Sequence, residues 1–462
     1  MTKQVPTVLF LSGRSDIAGG EVYLLSVMRH LDRRRFHPIV ILPSDGSFRV
    51  KLESVGVEAL VLEANFDRLN GPAERFGYLK HMAERVTRLG EIIRQKQVRL
   101  IHSNSNKIWD GALAARLHGI HHIHVAHIEY LPSLPIYHRF PLRMESVATL
   151  MGELSSRTIA VSDHVARTLI PSVPAEAVSV IYNGVEIEPY DQALADAHGK
   201  LRAELGVASE IVLITAVGRL HPDKGFDYLV EAAGRILART RNTRFLIVGQ
   251  TDDQKFADEL RQRTQSLGIA DQFIFLGYRQ DVPEILAESE IFVLSSRTEG
   301  GPYVLLEAMA CECAPVSTRC GGIVEQAIVD GESGYLVNNG DVNGLADKIL
   351  RLINDPDSRK RMASAARRRV RERFEASVGV QKLMTVYDEV LAGPRPVVGS
   401  ATADLFLRGA AELGSLGLMV TDLEDRLRQL EHLADSLCGN MVYKLGRQIK
   451  HWWTASSNGS RR

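Results

Sequence analysis

Three loops in this chain combine glycines with cations or carboxylates in ways that suit a diphosphate, and each follows a short apolar run. The first extends from Gly13 to Gly20, with the pair Gly19-Gly20 just before Glu21. Paired glycines let a backbone approach a ligand closely, and a helix starting there offers unpaired N–H groups. The spacing is not that of a dinucleotide fingerprint, and a tight strand-to-helix turn is the alternative reading. The second loop is Val217 to Gly225, VGRLHPDKG. Its Arg219 and Lys224 could clamp two phosphates, the arginine bidentately and the lysine as a compact charge; two solvated loop cations are the alternative. The third is Glu299 to Glu307, EGGPYVLLE. Pro302 fits the first position of a helix, where its missing N–H costs nothing. The amides of Tyr303 and Val304, following Gly301, would then face an anion. Glu299 and Glu307 suit the hydroxyls of a sugar or ribose as acceptors. Glu307 alone would equally read as an acid favoured by the helix dipole.

Such loops need rigid elements behind them. Short β-branched runs alternate with amphipathic helical patterns along the chain, the pattern of parallel α/β sheets. In the first half the expected strands are Thr7–Ser12, Pro38–Leu42, Val57–Leu62, Leu100–Asn104, His122–Ala126, Thr158–Ser162 and Val178–Tyr182. A break at Asn183-Gly184-Val185-Glu186 precedes a second series: Ile211–Val217, Phe245–Val248, Phe273–Leu276, Ile291–Leu294, Pro315–Ser317 and Tyr335–Val337. The expected fold class is therefore α/β, with two doubly wound Rossmann-like domains facing a cleft and a helical extension at the C-terminus. Ligands of such sheets bind beyond the carboxyl ends of the strands. The division reads as 1–184 for the first domain, 185–375 for the second, a helix over 376–392 that crosses back, a linker over 393–400 and a helical tail over 401–462.

Composition narrows the class. Hydrophobic residues make up 45% and charged residues 24% of 462, ordinary for a globular protein, and the formal net charge is zero. A global electrostatic footprint for nucleic acid is thus missing, and no nucleic-acid partner is expected. Four cysteines are too few for a disulfide framework. Cys311, Cys313 and Cys320 raise a zinc site, but a fourth ligand is missing nearby, and the stretch reads as a buried helix end and strand where cysteine is a small apolar residue. The run Val5–Leu11 is too short for a signal peptide and no stretch reaches transmembrane length. The expectation is a cytoplasmic protein whose only membrane contact is peripheral, at the inner face of the plasma membrane.

Taken together and in order, these motifs resemble the retaining glycosyltransferases of family four, which have the GT-B fold. The similarity is most specific in EGGPYVLLE at 299–307, which matches that family's glutamate–seven residues–glutamate motif. It continues through Ala308-Met309-Ala310, Gly321-Gly322 with Glu325, and Gly334-Tyr335-Leu336-Val337. VGRLHPDKG, Asn183-Gly184-Val185, Val161-Ser162 and Gly19-Gly20 also match, so the resemblance covers about residues 5–392. It implies that Arg219 and Lys224 hold the donor diphosphate, Glu307 the ribose, and Glu299 the transferring sugar. Gly19-Gly20 would approach the phosphates from the opposite domain, with Gly301, Tyr303 and Val304 on the near side. His127 stands where the family has an active-site histidine, although His118, His121, His122 and His124 crowd the same stretch.

The implied reaction transfers a sugar from a nucleotide diphosphate sugar to a glycan or lipid-linked acceptor with retention, needing no cofactor and no obligatory metal. Two rivals share the fold: a nucleotide-sugar 2-epimerase and a non-catalytic binding subunit. A dinucleotide-dependent oxidoreductase lacks its G-x-G-x-x-G. The chain departs from the family at Glu312 and at Gln250-Thr251, where glycines are usual. In the tail, Leu416, Val420, Leu423, Leu427, Leu430, Ala434, Leu437 and Met441 alternate by four and three, a coiled-coil heptad that fits a homodimer. Lys444, Arg447 and Lys450 then accompany Tyr443, Trp452 and Trp453, which suits a helix on an anionic bilayer. Packing of the tail on the catalytic body is the alternative.

Overall fold

A computed structural model describes residues 5–64, 72–106, 108–128, 130, 144–396 and scattered positions between 408 and 429. The first sheet holds β1 (Thr7–Leu11), β2 (His37–Leu42), β3 (Glu58–Val61), β4 (Val98–Ser103), β5 (His121–Ala126), β6 (Arg157–Ala160) and β7 (Val178–Val180). The second holds β8 (Val212–Val217), β9 (Thr243–Val248), β10 (Phe273–Gly277), β11 (Ile291–Leu294), β12 (Ala314–Thr318) and β13 (Tyr335–Val337). Every run expected as a strand is one, because strands covered by helices on both faces must be nearly continuous in apolar residues. β1, for example, is buried at all five positions.

The orders are β3-β2-β1-β4-β5-β6-β7 and β10-β9-β8-β11-β12-β13, with all pairings parallel. Winding therefore reverses between β1 and β4, and again between β8 and β11. Loops leaving neighbouring strands at such a point run to opposite faces and open a crevice. The loop after β1 carries Gly13–Gly20, the loop after β8 carries 218–225, and the loop after β11 carries 295–302. All three candidate loops thus sit at switch points.

The chain passes twice between the domains, and the two passes run side by side. The Val185 N–H donates to the Phe374 carbonyl at 2.9 Å, and the Ala376 N–H to the Val185 carbonyl at 3.0 Å. A Cβ at Gly184 would lie 2.6 Å from the Ala376 Cα, so the close approach requires glycine there. The helix Ala376–Ala392 then returns to the first domain. Val380, Leu383, Met384, Tyr387 and Val390 join its core, and the Tyr387 hydroxyl bonds His102 Nδ1 at 2.7 Å. Cys311, Cys313 and Cys320 lie in the apolar cluster around Leu305, Leu306 and Phe374, and the Cys313 thiol donates to the carbonyls of Leu286 and Ser289 at 3.2 and 3.3 Å.

Among the described residues no helix is long and apolar enough to cross a membrane. Most of the tail, including every aromatic and cation beyond 440, lies outside them. At its start, residues 408–412 are helical and Ala410 is buried in the first core. Leu416, Met419 and Leu423 are more than half exposed.

β4 and β5 bury an unusual group of histidines. His122 sits between Ser155 (Nδ1, 2.8 Å) and Ser103 (Nε2, 2.9 Å), and His124 bonds the Tyr130 hydroxyl at 2.7 Å. Burial drives His122 well below the ordinary 6.5, and His102 and His124 down to about 3. These rings are neutral when folded and take up protons when unfolded below 6.5. Their stabilisation is complete above that value and is lost as pH falls towards the folded value, at about 1.4 kcal/mol per pH unit for each ring. Urea denaturation should therefore show stability falling between about pH 6 and pH 4.5. His122→Gln should flatten that slope by about 1.4 kcal/mol per unit; an unchanged slope would show that His122 is not held neutral.

Candidate functional site

In the first domain the site begins at the helix Gly19–His30. It starts two residues earlier than a helix opening at Glu21, so the glycine pair forms its first turn and does not precede it. Glycine is poor in a helix interior, but the first turn makes no i−4 bonds, which lowers the cost there. The Glu21 carboxylate, three residues after the N-cap Ala18, accepts from the Ser12 hydroxyl at 3.0 Å, and burial raises its pKa. The amides of Gly19 and Gly20 make no hydrogen bond among the described residues and remain available to an anion.

His127 lies just past β5, in the cleft. Its Nε2 is 2.8 Å from Asn104 Oδ1, its backbone N–H donates to Asn106 Oδ1 at 3.1 Å, and its ring meets Tyr23 edge-on at 5.2 Å. Burial pulls its pKa down to about 4. His121, His122 and His124 lie within β5, bonded to Ser156, Ser155 and Tyr130, and His118 precedes the strand. The strand end therefore separates His127 from its neighbours.

In the second domain the loops after β8 and β11 brace one another. The Ser295 hydroxyl donates to the Lys224 carbonyl at 2.9 Å, and the Arg297 amide to the Asp223 carbonyl at 2.8 Å. Arg297 also forks onto Asp227 at 2.9 and 2.6 Å and stacks over Tyr228 at 4.2 Å. Gly225 has φ +60°, and a Cβ there would lie 2.1 Å from the Ser295 carbonyl oxygen. This bracing brings the Lys224 Nζ to 2.6 Å from Glu299 Oε1, which also accepts from the Ser296 hydroxyl at 2.6 Å.

Arg219 is held elsewhere. It pairs with Asp252, in the loop after β9, and its side chain is 54% exposed. Gln250-Thr251, where the family has a second glycine, bring that loop across: the Leu220 amide donates to the Gln250 carbonyl at 2.8 Å, and Leu220 bridges Thr251. The two candidate cations thus answer to separate carboxylates.

The helix Tyr303–Ala310 begins one residue later than a Pro302 start would give. Pro302 is the N-cap, with φ −72° and ψ 92°. Its carbonyl accepts from the Leu305 amide at 3.1 Å, while the amides of Tyr303 and Val304 make no hydrogen bond among the described residues. Glu307 lies beside the Tyr190 hydroxyl, and burial raises its pKa to about 7. Asn104, Glu21, Asp252 and Tyr190 are the functional neighbours that pattern reading missed. Only Glu21 left a signal, as an acid three residues after an N-cap.

The two halves meet. A Cβ on Gly19 would lie 3.9 Å from the Tyr303 ring, one on Gly300 3.1 Å from the His127 carbonyl, and one on Gly301 3.2 Å from Asn183 Nδ2. Tyr23 Oη, Tyr303 Oη and Asn183 Oδ1 are buried at this junction without partners among the described residues. Beside it, a cavity of about 520 Å³ opens at the ends of β2 and β3, lined by Ser44, Glu63, Tyr78, His81 and Arg85. The Ser44 hydroxyl joins that wall to Ser15 of the Gly13–Gly20 loop at 2.8 Å, and Arg85 is paired with buried Asp110 at 2.9 Å.

Glu307 has a consequence for stability. A carboxyl whose folded pKa is raised above 4.5 destabilises the fold fully above the folded value and not at all below the unfolded one. Glu307→Gln should therefore be more stable than the parent at pH 8, by about 1–3 kcal/mol. The gain should shrink as pH falls through 7 towards 4.5, and equal denaturation midpoints at pH 8 would contradict a desolvated carboxylate.

Two family descriptions match in tandem: Glycosyltransferase Family 4 over residues 17–189, and Glycosyl transferases group 1 over residues 198–369. The chain is 32% identical over 218 residues to the N-acetyl-alpha-D-glucosaminyl L-malate synthase of Bacillus anthracis, a match covering 47% of this chain and 55% of that one. It is 25% identical to the UDP-Gal:alpha-D-GlcNAc-diphosphoundecaprenol alpha-1,3-galactosyltransferase of Escherichia coli, covering 66% of this chain and 78% of that one. Against the first of these curated relatives, the chain spans little more than half the length. The crystal structure of Anabaena HepE in complex with UDP and glucose superposes with a TM-score of 0.69 at 26% identity, covering 83% of this chain and all of that one. With two switch-point crevices facing one cleft and both matches in the family's order, the chain belongs to the family four glycosyltransferases of GT-B fold.

Proposed function

We propose that this chain transfers a sugar from a nucleoside diphosphate sugar to an acceptor hydroxyl. The observation that carries the reading is the convergence, from two domains, of four helix N-terminal amides (Gly19, Gly20, Tyr303, Val304), unpaired among the described residues, on a cleft that also holds Lys224, Glu299 and His127. Such a cradle fits a diphosphate, and the UDP and glucose in the HepE complex and the UDP-Gal in the name of the E. coli relative supply the donor class to try first. Arg219 would leave Asp252 for the phosphates, and Lys224 would divide its charge between them and Glu299. Glu307, desolvated and able to ionise near neutrality, would accept the ribose hydroxyls.

The transfer proceeds with retention. The bond from the anomeric carbon to the β-phosphate oxygen breaks while the acceptor oxygen bonds that carbon on the same face. The hydroxyl proton passes to the departing phosphate, so no side-chain nucleophile takes part. Negative charge grows on the diphosphate as this happens, and fixed amides with two cations stabilise it more in the transition state than in the ground state. In this role they would serve where a divalent cation otherwise could. The polar cavity at Ser44, Glu63 and Arg85 is suited to a hydroxyl-rich glycan or lipid-linked acceptor.

The test is an assay with UDP-, GDP- and ADP-sugars, run with and without chelator. Lys224→Ala and Arg219→Ala should each slow transfer roughly 30- to 1000-fold, as loss of an oxyanion donor does. Glu307→Ala should weaken binding of the free nucleoside diphosphate, whereas Glu299→Ala should spare binding and depress transfer. Near-full activity in either cation variant would sink the reading. An inverted product by NMR would move the chemistry to a base, and turnover without acceptor to an epimerised sugar would favour the 2-epimerase.

The tail is proposed as a self-association and membrane-surface segment at the cytoplasmic face, from its heptads and its terminal cations and aromatics. Because Ala410 belongs to the first core, the informative truncation removes residues 413–462. It should leave donor binding unchanged and lower self-association by light scattering, sedimentation with anionic vesicles, or both; a loss of neither defeats the proposal.

A further inference from the structure

Asn104 stands at the end of β4, where its amide N–H donates to the Leu11 carbonyl at 2.9 Å, and it is only 2% exposed. Its carboxamide spans two elements of the first domain. Nδ2 donates to the Gly20 carbonyl at 2.8 Å, and Oδ1 lies 2.8 Å from His127 Nε2. The Gly20 carbonyl can only accept, so it fixes which end of the amide faces the histidine. An amide oxygen can likewise only accept, so His127 Nε2 must carry the proton. A ring whose pKa burial has pulled down to about 4 is neutral at ordinary pH, and its other nitrogen is then bare. That nitrogen, Nδ1, makes no hydrogen bond among the described residues. Across the cleft from His127 lies the loop of Glu299 and Gly300.

We infer that Asn104 is a positioning residue that fixes His127 as the Nε2–H tautomer, so that Nδ1 offers a lone pair to the donor sugar and selects one presenting a hydroxyl there over one presenting a carboxylate. This rests on the transfer reading above and deepens it. A bare imidazole nitrogen accepts from a hydroxyl, but it meets an ionised carboxylate lone pair to lone pair. Moreover, the neutral ring cannot donate from Nδ1 without giving up its bond to Asn104. The same amide couples this choice to the phosphate loop: displacement of Gly20 would release the restraint on His127.

Two measurements on the full chain test the inference. The first needs no donor. Nitrogen-15 NMR of ring-labelled histidine should show His127 protonated on Nε2 and bare on Nδ1, and Asn104→Ala should mix the tautomers. The second compares kcat/KM for hydrolysis of UDP-glucose and of UDP-glucuronate. The parent should favour the neutral sugar by roughly tenfold or more, the scale of one hydrogen bond made against one refused. Asn104→Ala should cut that ratio at least roughly threefold. Asn104→Asp gives up the bond to the Gly20 carbonyl, but its carboxylate favours the imidazolium, which can donate from Nδ1, and should shift preference further towards the glucuronate. A proton on Nδ1 in the parent, or an unchanged ratio in both variants, overturns the inference. A chain that binds no nucleoside diphosphate defeats the transfer reading instead, and the NMR result still judges the tautomer.

Discussion

A parallel sheet must reverse its winding once if helices are to cover both faces, and at the reversal two neighbouring loops part. Nothing else in this molecule would put a helix N-terminus and a cation-bearing loop side by side without a dedicated scaffold. Here the reversal happens twice, between β1 and β4 and between β8 and β11. Both crevices open on one cleft because the chain crosses between the domains at a single place, pinned by Val185 and Glu375. The positions of the amides, of Lys224 and Glu299, and of His127 all follow from that arrangement.

Within the cleft, each charged group already has a provisional partner. Lys224 holds Glu299, Arg219 holds Asp252, and Glu21 accepts from the Ser12 hydroxyl. For Lys224 and Glu299 this is what burial demands, since an ion left unpaired out of water costs several kcal/mol (roughly 3–5 when one partner is removed), whereas Arg219 is half in solvent and free of that demand. The unsatisfied atoms are neutral: the Tyr23 and Tyr303 hydroxyls and the Asn183 carbonyl. Neutral orphans cost about 1–3 kcal/mol each, less than an unpaired ion would. The site thus keeps its charges exchangeable and its hydroxyls waiting.

The strands were legible because buried parallel strands leave uninterrupted apolar runs, and the glycine-bearing loops were legible because they interrupt those runs at strand ends. Helix starts were less so. Gly19-Gly20 read as a loop because glycine disfavours helix, yet the first turn lacks the bonds on which that penalty acts. Pro302 read as the first helical residue and is the cap. Asp252 beside Arg219, Tyr190 beside Glu307 and Asn104 beside His127 were beyond a pattern reading. Those pairs are set by tertiary approach across 33, 117 and 23 positions of sequence, and no local period records them.

The helix Gly19–His30 was introduced for its first turn, but its last turn is also anchored. Ser26 Oγ and His30 Nε2 bind Glu186 at 2.9 and 2.8 Å, one residue beyond the paired crossings. Twelve residues of helix measure about 18 Å. The element is therefore a lever with its fulcrum at the crossings and its working end at Gly19, against the Tyr303 ring. If the second domain rotated about 20° around that fulcrum, Gly19 and Tyr303 would part by about 6 Å over an arm of that length. A few torsions near Gly184 would therefore suffice to open the cleft by that amount.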